Sequence, residues 1–108
     1  MTTYDGLCHE VVQHLGGEAG LKELGARVAA DDHSHVSLRL NHPNPRGVRS
    51  VVITARGNGL FDMDCFGPMR MDAFRAERVG HAEQIVPDSL ASVLGLMTGV
   101  ERLHHHHY

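Results

Sequence analysis

Residues 48–68, VRSVVITARGNGLFDMDCFGP, decide the fold of this chain. The segment 48–55 is rich in β-branched residues, as strands are, and Val51, Ile53 and Ala55 form one candidate face. Asn58-Gly59 follows, and this dipeptide is among the strongest short signals for a two-residue hairpin turn. The stretch therefore predicts an antiparallel hairpin.

The second strand of this hairpin alternates in character, because successive side chains of a strand point to opposite faces of the sheet. One side of it is apolar and the other carries acid: Phe61, Met63 and Cys65 against Asp62 and Asp64. We expect Gly67-Pro68 to end the strand.

Further elements lie on both sides of the hairpin. Residues 36–41 alternate between apolar and polar and predict a strand, and residues 77–86 predict a fourth, irregular one. Helical spacing of apolar residues predicts helices before Gly16-Gly17, over residues 18–25 and over residues 87–99. Residues 26–30 receive no assignment, and residues 69–77 are expected to form a loop or a short helical turn.

This order predicts an α+β domain: an antiparallel three- to four-stranded meander with two N-terminal helices and one C-terminal helix packed on one face. The opposite face would meet solvent or a partner. We predict a single domain over residues 1–103. The histidine-rich tail, residues 104–108, is expected to be disordered or derived from a purification tag.

The composition restricts the class of protein. Among 108 residues, 42% are apolar and 21% charged, which is typical of a globular domain. The formal charge of −3 gives no field that would attract a phosphate backbone. We find no membrane-length apolar run and no signal peptide, so we expect a cytoplasmic protein whose two cysteines are free thiols.

The aspartate pair is the first candidate site. Asp62 and Asp64 share a strand face with Cα atoms about 7 Å apart. We favour a solvated face. The alternatives are an acidic edge that binds a partner, and a metal or acid–base site, which would need further oxygen ligands or a buried carboxyl group. His81 and Glu83 are interpreted as a surface pair.

The segment DDHSH is the second candidate. Asp31, Asp32, His33 and His35 are ligand types that zinc or nickel accepts. We favour a turn, because no partner motif lies elsewhere in the chain, and we keep a metal site as the alternative. We predict no cofactor.

The cysteines and the arginines are further candidate residues. Cys8 and Cys65 are interpreted as buried small apolar residues, since neither has a base on its own face. One group of basic residues lies on the predicted strands at residues 36–41 and 48–55, which we call the first hairpin, and on the loops that follow them: Arg39, Arg46, Arg49 and Arg56. These arginines offer a nucleic-acid interface as an alternative, although interleaved aromatic residues for base stacking are missing.

The order of several short motifs resembles a family of small uncharacterised proteins of bacteriophages and other mobile elements. The matching segments run over nearly the whole chain: QHLGG (13–17), LGA (24–26), HVSLRL (35–40), VRSVVIT (48–54), LFDMDCF (60–66) and TGV…L (98–103). Phe61 stands where the family carries an aromatic residue before the first acid. The loop 41–47 and the tail depart from the pattern. The resemblance implies an accessory protein that works inside a bacterial cell, with no activity that can be carried to particular residues.

We therefore predict a non-enzymatic protein that binds a host or phage protein, in its most concrete form an inhibitor of a host defence system of the anti-CRISPR type. Asp62, Asp64 and Arg49 are the expected contact residues. A metal-dependent function of residues 31–35 is the alternative, and a nucleic-acid binder is a further one. We expect neither a nucleic-acid nor a membrane partner, and a homodimer through the exposed sheet face stays open.

Overall fold

The computed structural model of the protein describes residues 6–70 and 75–100. The helices are α1 (Gly6–His14), α2 (Gly17–Leu24) and α3 (Leu90–Thr98), the last preceded by a 3₁₀ turn at Pro87–Ser89. The strands are β1 (Ala26–Asp31), β2 (His35–Leu40), β3 (Ser50–Ala55), β4 (Phe61–Arg70) and β5 (Arg75–Ile85).

The strands form one antiparallel sheet in the order β1-β2-β3-β4-β5, so that every strand pairs with its neighbours in sequence. The expected α+β meander with two helices before it and one after it is confirmed. The strand number is five, and the expectation of three or four is wrong.

Strand β1 is the element that the sequence did not reveal. Alanine has a low preference for strands, and β1 contains three alanines among its six residues. Pairing with β2 nevertheless holds it extended, with an irregularity in register between Val28 and Ala30. Ala26 and Val28 pack against the core, so the strand is selected by its tertiary contacts.

Strand β4 continues through Gly67-Pro68, where we expected it to end. Pairing with β3 reaches only as far as Phe66. On the β5 side the register shifts between Phe66 and Met69. Pro68 therefore lies where the missing N–H costs no regular ladder bond, as is usual for proline in strands. The expectation of a loop or helical turn over residues 69–77 is wrong at both ends, and residues 71–74 lie outside the described part.

All three helices pack on one face of the sheet, as expected. Helix α1 contacts β2, α2 contacts β1, and α3 contacts β5. The apolar side chains of β2, β3 and β4 alternate toward these helices and are almost fully buried: Val36, Leu38, Leu40, Val51, Ile53, Phe61, Met63 and Cys65. Burying a side chain of this size contributes about 1.5–3 kcal/mol, so this layer is the main source of stability.

The corner between α1 and α2 depends on Gly20. Its backbone N–H donates to the carbonyl oxygen of Gly16 at 3.2 Å. A Cβ atom at position 20 would overlap the carbonyl oxygen of Leu15, whose side chain is fully buried. A glycine that weakens the helical pattern of the sequence is therefore required by the close approach of two backbones. Gly25 then ends α2 in the left-handed conformation, with φ 65°.

Residues 1–5 and the tail at residues 104–108 lie outside the described residues. Within the described ranges, no helix has both the length and the apolar character needed to cross a membrane.

Substitution Gly20→Ala tests the close backbone approach. Alanine favours helix by up to about 1 kcal/mol over glycine. We nevertheless expect Gly20→Ala to lower the free energy of unfolding by about 2 kcal/mol, because the corner must open. Urea denaturation measures this change. The exposed Glu23→Ala on the same helix is the control, with an expected change within about 0.5 kcal/mol. A Gly20→Ala variant as stable as the parent chain would contradict the argument.

Candidate functional site on the outer face of the sheet

The face of the sheet opposite the helices carries most of the polar side chains singled out in the sequence. We call it the outer face. Its members on the first four strands are half-buried or exposed: Arg27, Ser37, Arg39, Ser50, Val52, Thr54, Asp62, Asp64 and Phe66. Within the described part of the molecule, these side chains lie beside one another and form one broad surface.

Asp62 is held by two groups on neighbouring elements. The Arg56 guanidinium Nη1 lies 3.1 and 2.9 Å from its two carboxylate oxygens. The backbone N–H of Gln84 donates to Oδ1 at 3.1 Å. On β5, Glu83 and Gln84 together oppose Asp62, since Phe61 pairs with Ile85 and Met63 with Ala82. This bulge places Gln84 at φ 55°, which is rare for a residue other than glycine.

These contacts keep Asp62 ionised. Partial burial pushes the pKa of its carboxyl group upward, but the hydrogen bond from Gln84 and the hydrogen bond and charge of Arg56 outweigh it. His81 adds a smaller attraction. The net effect lowers the pKa of Asp62 below its ordinary value, which is the opposite of what a general acid requires.

Asp64 forms a second cluster with β5. His81 Nδ1 lies 2.6 Å from Asp64 Oδ1, and His81 Nε2 lies 3.0 Å from Glu83 Oε1. Arg78 Nη1 reaches the same Asp64 oxygen at 3.3 Å. Ionised carboxylates only accept hydrogen bonds, so both ring nitrogens of His81 carry protons when both contacts are made. The expected pairing of His81 with Glu83 is present, and Asp64 joins it.

The pKa of His81 reflects this arrangement. The hydrogen bonds to Glu83 and to Asp64 raise the pKa of His81 above 6.5, against the opposing effects of desolvation and of Arg78. A histidine whose folded-state pKa is raised stabilises the fold fully below its unfolded pKa. That contribution is then lost as the pH rises through the folded-state pKa.

Substitution Glu83→Gln tests the His81 cluster. It removes the carboxylate that faces Nε2, and we expect the pKa of His81 to fall toward 6.5. The measurement is an NMR titration of the His81 ring protons. Glu77→Gln, at an exposed carboxyl group of the same strand, serves as control and leaves the titration unchanged. Equal titration curves for both variants would show that the contact between His81 and Glu83 does not form in solution.

The aspartate pair therefore has its charge balanced by neighbours. Between a fifth and a quarter of each side chain remains exposed, 21% for Asp62 and 24% for Asp64. The two aspartates do not lie on an edge strand, as the alternative of an acidic edge would require, because β4 lies between β3 and β5. Among the residues that the structure describes, no group of three or more His, Cys, Asp or Glu is arranged to hold a metal ion.

The DDHSH segment forms the turn between β1 and β2. Asp32 Oδ1 accepts hydrogen bonds from the backbone N–H groups of Ser34 at 2.7 Å and His35 at 2.9 Å. These two bonds, with the Ser34 hydroxyl, lower the pKa of Asp32 to about 2. His35 Nδ1 lies 3.1 Å from Asp32 Oδ2. Asp31 instead lies beside Cys8. Asp32 and His35 thus contact each other within the turn, whereas Asp31 is turned toward a different neighbour.

Both cysteines are free and buried, at 1% exposure for Cys8 and 0% for Cys65. Burial is the main cause that raises the pKa of each thiol, and the nearby charges of Asp31 and Asp64 add to it. The pKa of Cys65 reaches about 11. Both thiols are therefore protonated at neutral pH and are poor nucleophiles.

Thiol titration tests this protection. A thiol of pKa about 11 is about one part in a thousand thiolate at pH 8, and it is also shielded from solvent. We expect less than about a tenth of the thiols to react with an aromatic disulfide reagent in the time that an unfolded chain reacts completely. Guanidinium chloride should release both. If one full equivalent of thiol reacted rapidly in the native protein, one of the cysteines would be an activated one.

A row of five paired residues, three of them arginines, crosses the outer face at the end away from the Arg56–Asp62 pair. In strand register Arg27 is opposite Arg39, Arg39 is opposite Ser50, Ser50 is opposite Phe66, and Phe66 is opposite Arg78. A concavity of about 380 Å³ opens at this end. Its polar lining consists of Arg39, Asn41, Arg49 and Ser50.

The structure divides the arginines that the sequence grouped together. Arg56 pairs with Asp62, whereas Arg39 and Arg49 border the concavity. Arg46 lies exposed in the loop after β2, where its backbone N–H donates to Thr98. Arg49 donates its backbone N–H to Phe66, so it lies at the opposite end of the hairpin from Asp62.

Sequence reasoning missed Arg27, Arg78 and Gln84. Arg27 lies in the unassigned strand β1. Gln84 acts through its backbone, which no sequence pattern exposes. The alternation of His81 and Glu83 was the one available signal that β5 turns a charged face toward Asp62 and Asp64.

Comparison of this chain with models of protein families, with curated proteins and with solved structures finds no match.

Proposed function

We propose that this chain is a binding protein that docks a partner protein on the outer face of its sheet. The observation that supports this most is the pair of clusters around Asp62 and Asp64. They fix charged side chains of opposite sign in a defined order on a face that the helices leave open.

Fixed side chains favour specific association. Ordering a flexible side chain at an interface costs about 0.5–1.5 kcal/mol, and side chains already held by cross-strand contacts avoid part of that cost. Arg56, Arg78 and His81 are each held in this way. Such an ordered pattern of charges gives specificity by rejecting surfaces with the wrong sequence of charges.

The partner that fits is a protein whose charges run in the complementary order. It would place acidic groups opposite Arg39 and Arg49, and basic or donor groups opposite the exposed oxygens of Asp62 and Asp64. Asp62, Asp64 and Arg49 are therefore proposed as contact residues, in line with the prediction from the sequence. A stable complex would bury about 800 Å² on each partner.

For the biological role we propose an accessory protein of a mobile element that binds a host or phage protein inside a bacterial cell, such as an inhibitor of host defence. The support for this role is the resemblance of the ordered motifs. The support for binding itself is the geometry of the outer face.

Arginine substitutions on the outer face test the docking surface. Val52 and Thr54 lie directly across from Asp64 and Asp62, so an arginine at either position meets an acidic neighbour and the fold tolerates it. We expect Val52→Arg/Thr54→Arg, and separately Arg49→Glu, to weaken partner capture by about tenfold or more. The matched control is Ala19→Arg, an exposed position on α2 in the helical layer.

Capture uses the full chain with an N-terminal handle, because the four histidines of the tail bind metal resins themselves. The protein is incubated with nuclease-treated bacterial lysates, and bound proteins are identified by mass spectrometry. Size-exclusion chromatography with light scattering separates self-association from capture. The proposal holds if a captured protein is lost with the outer-face variants and retained with Ala19→Arg. Capture that all variants share equally, or a lack of capture from every host tested, overturns it.

A further inference from the structure

We propose that the concavity between Arg39 and Arg49 is a binding site for the phosphate group of a small organic phosphate. This inference goes beyond the docking function and needs no protein partner.

The lining of the concavity suits a phosphate group. Arg39 and Arg49 both border it, together with Asn41 and the hydroxyl-bearing Ser50. A guanidinium presents its N–H donors in a planar fork that matches two phosphate oxygens, and it keeps its charge at any physiological pH. The asparagine amide and the serine hydroxyl can each donate one further hydrogen bond.

The distribution of charge on the outer face also favours an anion here. Arg39 lies directly across from Arg27, and like charges in this position destabilise a sheet. Arg56 and Arg78 have carboxylate partners at 2.9 and 3.3 Å. No carboxylate of the described residues pairs with Arg39 or Arg49. A bound dianion would supply the missing negative charge.

The backbone beneath the concavity is already fixed. Arg49 donates its N–H to Phe66 and accepts one from Leu40, each at 2.8 Å. The preceding loop is closed by Asn44, whose side chain donates to the Val48 carbonyl oxygen at 2.7 Å and accepts from the Val48 N–H at 2.9 Å. Val48 itself is buried. The backbone of the site therefore needs little reorganisation when an anion enters, and the arginine side chains are the parts that must be ordered.

The size of the concavity selects a small organic phosphate over a bare ion or a polymer. Its volume of about 380 Å³ lies in the range of small-molecule sites. Pro68 and Ala76 give part of the lining an apolar surface that an organic group can contact. The carboxylates of Asp64 and Glu83 elsewhere on this face and the formal charge of −3 oppose a long polyphosphate chain here.

The experiment is a calorimetric titration of the full chain with inorganic phosphate, phenyl phosphate, adenosine monophosphate, adenosine and a single-stranded oligonucleotide. We expect at least one of the two organic phosphates to bind with a dissociation constant of about 1 mM or less. Adenosine should bind at least about tenfold more weakly than adenosine monophosphate, since it cannot form the charged hydrogen bonds.

Variants locate the binding. Arg39→Gln and Arg49→Gln should each weaken phosphate binding by about tenfold or more. Arg56→Gln is the matched control, because Arg56 is held by Asp62 outside the concavity, and it should leave phosphate binding unchanged. Circular dichroism confirms that each variant is folded.

Other outcomes overturn the inference. No heat from any phosphate at about 10 mM excludes the site. Binding of inorganic phosphate that neither organic phosphate improves on shows a site for the free ion only. An oligonucleotide that binds far more tightly than adenosine monophosphate, with a steep salt dependence, shows a nucleic-acid surface instead. Partner capture is measured separately, so docking and phosphate binding can fail independently.

Discussion

Burial of one face of the sheet is the constraint on which the rest of the structure depends. Side chains alternate between faces with a period of two, so a slip of one residue would bring the outer charges into the core. Val51, Ile53 and Met63 have no exposed surface beneath the helices, and this fixes the register of the central strands. Register then decides which outer side chains meet. The contacts of Asp62 and Asp64 and the row of arginines are consequences of packing on the opposite side.

The central hairpin could be predicted because its own sequence contains the physical signal. Alternation of apolar and polar residues marked β2 and β4, and Asn58-Gly59 marked the turn between β3 and β4. Strand β1 could not be found, since its alanines carry no preference for a strand and it is pairing with β2 and contact with α2 that hold it extended. The continuation of β4 past Pro68 likewise depends on how β5 pairs with it.

The outer face, too, could be predicted from the sequence only in part. Asp62 and Asp64 were identified as one surface, because their spacing alone places them on one side of a strand. Their partners Arg78 and Gln84 lie on β5, where bulges interrupt the alternation that a sequence pattern needs. The arginines of the first hairpin were grouped by proximity in sequence. The fold separates them into one that balances an aspartate, two that border a concavity and one that lies in a loop. Strand register rather than sequence distance determines the neighbours of each charge.

The bulge at Gln84 also affects how the open side of β5 can behave. The outermost strand of a sheet presents unpaired N–H and C=O groups, which a strand from another chain can use to extend the sheet into an aggregate. Bulges disturb the even spacing of those groups and increase the local twist, so that a straight incoming strand matches only a short stretch. Strand β5, with eleven residues, is long enough to be at risk. The turned peptide of Gln84 and the register shifts along β5 divide that long edge into short, mismatched pieces, and so help to keep separate molecules from joining sheet to sheet.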